Sequence, residues 1–231
     1  MPALLAALEK NGIADNTLVI FSGDNGRCHA RDKQFLYEGG LHIPLIMHWP
    51  KQLKAGQVNQ DLVSAIDVSA TILRLAGIRP PAYMDGQVML GPEARKRSYI
   101  IAARDRMDET VDKMRAVRDK RYKYIKNYMP ERPYMQPNNY KEKQYPMWNL
   151  LKELHAQGKL SPAQALFAAP TKPAEELYDL EKDPYELHNL AALPAQQQRL
   201  RDMRAILEKW IKDTDDKGQY AEAPGAARGN K

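Results

Sequence analysis

Asn16-Thr17-Leu18-Val19-Ile20-Phe21-Ser22-Gly23-Asp24-Asn25-Gly26 opens a segment that runs on to Pro50 and carries the pattern of an α/β protein. Thr17 to Phe21 is apolar, rich in β-branched residues and free of Gly and Pro. That is the pattern of a strand buried on both faces in a parallel sheet covered by helices. At Ser22 the run breaks, and two glycines permit a sharp turn around an acid and an amide. Ligands in open α/β sheets collect beyond the carboxyl ends of strands, so Asp24 and Asn25 stand where a site is expected. Taken alone, the same residues also describe an ordinary turn. Downstream follow Lys33, then Tyr37-Glu38-Gly39-Gly40, then a second apolar segment, Ile43 to Met47, closing on Trp49-Pro50.

Outward from this stretch, Leu4 to Lys10 reads as the last turns of an amphipathic helix closed by Asn11-Gly12. Asp67 is a suitable N-cap for a helix with the stripe Val68, Ile72, Leu75 and Ala76, stopped at Gly77. Arg79 to Glu93 is a long connection. Ser98 to Ala102, Met114 to Arg118 and Tyr122 to Tyr128 read as strands of an antiparallel sheet, the last two joined by a turn at Asp119-Lys120. Alternation of Tyr122 and Tyr124 with Lys123 predicts one wet face; stacking on single-stranded nucleic acid would use the same spacing. Arg104, Asp105, Arg106, Asp108 and Glu109 form a charged loop after the first of these strands. Pro130 to Tyr145 reads as an ordered loop, and Trp148, Leu151 and Leu154 mark a short helix ended by Gly158. Ser161-Pro162 starts another helix. Glu176 to Leu180 is a last strand, and Pro194 opens a final helix with the face Leu200, Met203, Leu207, Trp210 and Ile211. A charged, Gly-rich tail follows.

The chain has 231 residues, of which 43% are hydrophobic and 28% charged, the composition of a globular protein. A net charge of +6 is spread among acids without blocks, so nucleic-acid binding is not indicated and an anionic small substrate is accommodated. One cysteine excludes an internal disulfide framework. No run is long enough for a membrane span, and no signal peptide opens the chain.

The order of strand, Ser22-Gly23-Asp24-Asn25-Gly26, Lys33, Tyr37-Glu38-Gly39-Gly40 and the Pro44-containing segment resembles the latter half of the catalytic domain of type I, formylglycine-dependent sulfatases, within the alkaline-phosphatase-like superfamily. The resemblance continues through Asp67 to Leu73, Leu75 to Ile78, Glu176 to Leu180, Asp183 to Glu186 and Asn189-Leu190, with a leaning towards the bacterial and heparan N-sulfatase branch. It implies a partial α/β/α sandwich over residues 1–93, a small α+β subdomain with an antiparallel sheet over 94–214, and a disordered tail over 215–231. Compared with that family the chain begins within the catalytic domain and is expected to be a fragment, inactive alone. The family places the full-length protein in the periplasm or outside the cell.

By the same resemblance, Asp24 and Asn25 match the pair that binds calcium or magnesium, and hard cations take such oxygens. Lys33 matches the lysine that holds sulfate oxygens; a solvated surface lysine is the plainer reading. His29 and Arg104 are further candidates for substrate contact, whereas His42 and His48 suit packed or edge positions. The nucleophilic formylglycine and the remaining metal ligands are expected upstream. Cys28 does not replace it: in Cys28-His29-Ala30-Arg31 the arginine falls one position early for the modification motif. The implied substrate is a sulfated carbohydrate or similar anion, with no nucleic-acid or membrane partner. The alternatives are a phosphoesterase or phosphonate hydrolase of the same superfamily, or a non-catalytic module binding anionic glycan or nucleic acid.

Overall fold

The computed structural model describes residues 2–220. Among them the strands form two separate sheets, one two-stranded and one four-stranded. Helix α1 (Pro2–Lys10) leads to β1 (Val19–Ser22), as its Asn11-Gly12 stop predicts; Gly12 takes φ +66°. β1 departs from expectation. It pairs antiparallel with β2 (Leu45–His48), Val19 opposite His48 and Ser22 opposite Leu45, and its burial falls away toward Ser22. Phe21 and Ile46 remain half exposed because this pair has no further strand and no helix over both faces among the described residues. His42 and His48 are exposed and not packed.

Helix α2 (Glu38–Leu41) lies between the two strands, and α3 (Ala65–Leu75) follows them. The cap of α3 is Ser64, not Asp67. Asp67 occupies the third helical position, where its carboxylate returns to the Ser64 amide in a capping box. Asp67 is buried and also accepts from Gln87 N and from Arg97, tying the connection 79–93 to the helix. Burial opposes its charge, but Arg97 and the two amides outweigh burial and hold the carboxyl below its usual range. The helix buries Asp67, Ala70 and Thr71, leaving Ile72 half exposed, so the apolar stripe read from the sequence is not its packed face.

β3 (Ile100–Met107), β4 (Thr110–Arg118), β5 (Tyr122–Asn127) and β6 (Glu175–Asp179) form the larger sheet in sequential antiparallel order. Arg104 to Arg106 belong to β3 and not to a loop; only Asp108 and Glu109 turn the chain into β4. The turn at Asp119-Lys120 lies where expected, with Asp119 capping the Arg121 and Tyr122 amides. The predicted wet face does not exist. Val117, Tyr124 and Leu177 pack under Leu200, Met203 and Leu207 of the final helix α7 (Gln197–Thr214). Met114, Ala116, Ile125 and Tyr178 meet Phe35, Tyr37, Tyr134 and Trp148 on the opposite face. Lys123 is therefore fully buried, its ammonium 2.7 Å from Glu38 and 2.9 Å from Glu186.

The segment 130–145 also differs, since it contains α4 (Asn139–Gln144), capped by Asn138. α5 (Pro146–Ala156), carrying buried Trp148 and Leu151, ends before Gly158 as predicted. α6 (Pro162–Ala168) starts at the Ser161 capping box. Past α7, Asp216 folds back onto buried Arg115 at 2.7 Å, so the expected tail is anchored there. Its part over 221–231 lies outside the described residues.

Candidate functional site

Beyond β1 the chain reverses, held by Gly23 N donating to Pro44 O, Arg27 N to Gly39 O and Lys33 N to Arg27 O. Gly26 is pressed against the carbonyls of Gly39 and Gly40, and Gly40 against those of Asp32 and Phe35; a Cβ at either position would collide with backbone. These close approaches explain glycines on both sides of the loop. The folded loop displays Asp24, Asn25, Cys28, His29 and Lys33 outward from a base of buried Ala30, Phe35, Leu36 and Tyr37.

Asp24 is exposed and its carboxylate makes no hydrogen bond or ion pair to another described residue. Among the described residues the one hydrogen bond to Asn25 Oδ1 is a long one, from Cys28 Sγ at 3.9 Å. Both oxygens are thus free for a hard cation, and their chemistry fits one. No group of three or more His, Cys, Asp or Glu among the described residues is placed to hold a metal, so this pair supplies only part of a coordination shell.

Lys33 is half buried beside Tyr140 of α4, its Nζ 3.5 Å from the phenol oxygen and 5.1 Å from the ring centre. Tyr140 packs edge-on against Tyr145 at 5.5 Å. Beneath them Lys141, fully buried, donates to Ala30 O at 2.7 Å and Lys33 O at 3.0 Å. Its ammonium faces the rings of Phe35, Trp148 and Tyr145. Burial, assisted by the nearby Arg104 charge, lowers its pKa to about 7. Burial likewise pushes the Tyr145 phenol up, with Tyr140 and Cys28 contributing.

The structure therefore brings Asn25, Cys28 and Lys33 onto one loop and adds Tyr140, Lys141 and Tyr145, which sequence reasoning missed. Asn138 as a helix cap and Pro146 as a helix start were the local signals for α4 and its boundary. Exposed His29 shares the loop. Arg104 does not reach its open side: it is buried 5.1 Å over Phe35, 3.9 Å from Asp112, and burial lowers its pKa. Arg104 supports the loop from below.

The loop is fastened at its far end too. Arg31 donates to Tyr185 O and Glu186 O and lies 3.5 Å over the Tyr37 ring. Tyr37, Tyr134 and Tyr178 donate their phenols to buried Glu176 of β6 at 2.9, 2.7 and 2.6 Å. Burial and the Glu176 charge both raise the pKa of Tyr37.

A family model described as N-sulphoglucosamine sulphohydrolase, C-terminal, matches residues 26–153, more than half of the chain. The chain belongs to this sulphohydrolase family. The matched model is that of the family's C-terminal region. An ulvan-active sulfatase of Formosa agariphila is 42% identical over 222 residues, covering 96% of this chain and 37% of that protein. The N-acetylgalactosamine-6-sulfatase of Mus musculus is 37% identical over 92 residues, 34% of this chain and 18% of that one. A solved structure of BT4656 in complex with its substrate D-glucosamine-2-N,6-O-disulfate superposes with TM-score 0.66 at 23% identity, over 96% of this chain and 39% of that one. The sulphohydrolase-family chain thus spans 37% of the length of the ulvan-active relative, and its mixed α/β fold, with antiparallel sheets, matches the aligned part of the solved structures.

Proposed function

We propose that this chain forms part of a metal-dependent sulfatase that hydrolyses sulfate esters, or N-sulfates, of a sulfated carbohydrate. The observation that carries the reading is 42% identity over 96% of the chain to a protein active on ulvan. The free oxygens of Asp24 and Asn25 support their assignment as ligands of calcium or magnesium. Bound there, the ion supplies Lewis-acid polarisation of the sulfate. Lys33 presents an ammonium to the sulfate oxygens, where negative charge grows as the ester bond breaks. Tyr140 limits the rotamers of Lys33, and Lys141 fixes the carbonyls behind it. Within the chain no cysteine or serine stands in the modification motif, so the formylglycine nucleophile is assigned to residues outside this chain, and the chain alone is inactive.

Asp24→Ala in the intact sulfatase tests the metal assignment. Sulfate release from ulvan should be lost, and calcium should bind much more weakly by calorimetry, with the melting temperature in the absence of calcium unchanged. Undiminished calcium affinity would remove Asp24 from the metal site. A solved phosphonate monoester hydrolase of Agrobacterium radiobacter shares the fold at TM-score 0.62 and 20% identity, over 92% of this chain and 38% of that one. Fold alone does not favour that chemistry.

A further inference from the structure

A pocket of about 270 Å³ opens on the flank of the site loop, between Arg27, Arg31, Asp32 and Gly39 on one side and the turn Pro184–Leu187 on the other. Two of its side chains stand open to solvent. Tyr185 is 68% exposed, and the Arg27 side chain is 62% exposed, held by Asp32 at 3.1 Å from Nε. The walls are rigid. Arg31 is committed to the carbonyls of Tyr185 and Glu186, and Glu186 is locked to Lys123 and to the Glu38 amide. Glu186 takes φ +56°, a conformation unfavourable for a side-chain-bearing residue, and the turn that presents Tyr185 depends on it. The floor is Gly39, where a Cβ would collide with the Asp32 carboxylate.

We propose that this pocket is a subsite for a second, anionic sugar unit of the glycan, flanking the unit that carries the scissile sulfate. The proposal rests on the sulfatase reading above. A sugar ring offers an apolar C–H face and a hydroxyl rim. The Tyr185 ring, beside Pro184, supplies an aromatic platform for the first. The Arg27 guanidinium supplies a planar fork for a carboxylate or sulfate on the same ring. The location also fits. Lys33 N donates to Arg27 O, so the sulfate-binding lysine and the pocket arginine leave backbone positions joined by one hydrogen bond. Rigid walls keep the ordering cost of binding low.

The test uses the intact sulfatase with two probes, ulvan oligosaccharides and the sulfated monosaccharide unit released from them, and the variant Arg27→Gln/Tyr185→Ser. Calorimetry reads binding directly, independently of turnover. The double variant should weaken oligosaccharide binding about tenfold, the scale of losing a well-placed arginine or aromatic contact. Monosaccharide binding and the melting temperature should stay as in the wild type. Unchanged oligosaccharide binding overturns the subsite, and so does equal weakening of both probes, which would place these residues at the scissile unit or in folding. Lys33→Ala separates the two readings: it should impair turnover of both probes, and failure to do so counts against the sulfatase assignment while leaving the binding result to decide the subsite.

Discussion

At Lys141 an ammonium is enclosed by Phe35, Trp148 and Tyr145 and bonded to two carbonyls of the site loop. Its pKa falls from 10.5 to about 7, so between these values the unfolded chain holds a proton that the folded chain releases. Stability contributed at this position is therefore lowest below pH 7 and rises with pH until about 10.5. Melting curves across that range should rise more steeply for the wild type than for Lys141→Met, which cannot titrate. Parallel curves would show that the enclosed ammonium does not control the slope. Lys141→Met should also loosen the backbone of Ala30 and Lys33, and hydrogen exchange at the loop amides checks this.

At the scale of elements, β6 and the site loop are joined through Glu176, which accepts from three phenols and from Asn127. Glu176→Ala leaves those buried donors without an acceptor and should cost about 2–4 kcal/mol in urea unfolding; Tyr37→Phe, removing one donor, should cost about 1 kcal/mol. Equal losses for the two variants would mean that the carboxylate is not the hub. The elements read correctly from the sequence are those with local signals: α5 with its Gly158 stop, α6 with Ser161-Pro162, and α7 with its periodic face. The errors arose where distant chain decides. β1 looks like an interior parallel strand, but its described partner is β2, antiparallel. Lys123 looks solvated by alternation, but layers cover both faces of the sheet, and Glu38 and Glu186 come from far along the chain to neutralise it. In the candidate site, the order of Asp24, Asn25 and Lys33 in one loop was legible. Tyr140 and Lys141, more than 100 residues further on, were not, because only folding brings α4 beneath that loop.

Across the whole molecule, apolar surface is unevenly distributed. The larger sheet is covered on both faces, while Phe21, Ile46, Ile66 and Ile72 around β1, β2 and α3 are half exposed. Both β1 and β2 also present an unpaired strand edge among the described residues. Such surface promotes association. Light scattering of the 231-residue chain should show self-association that decreases in Phe21→Lys/Ile46→Lys; a wild-type chain that stays monomeric at high concentration would contradict this.

On the function proposed above, this chain contributes Lys33 to a sulfatase active site. The most direct test of that role is the rate of sulfate release from ulvan oligosaccharides by the intact sulfatase and by its Lys33→Ala variant. Loss of one donor to the developing charge should lower kcat/KM by about 10²–10³-fold. The melting temperature should hold, since among the described residues the Lys33 ammonium hydrogen-bonds only to exposed Tyr140 and its charge disfavours the buried Lys141 ammonium. An unchanged kcat/KM would remove Lys33 from the active site and leave it a surface lysine.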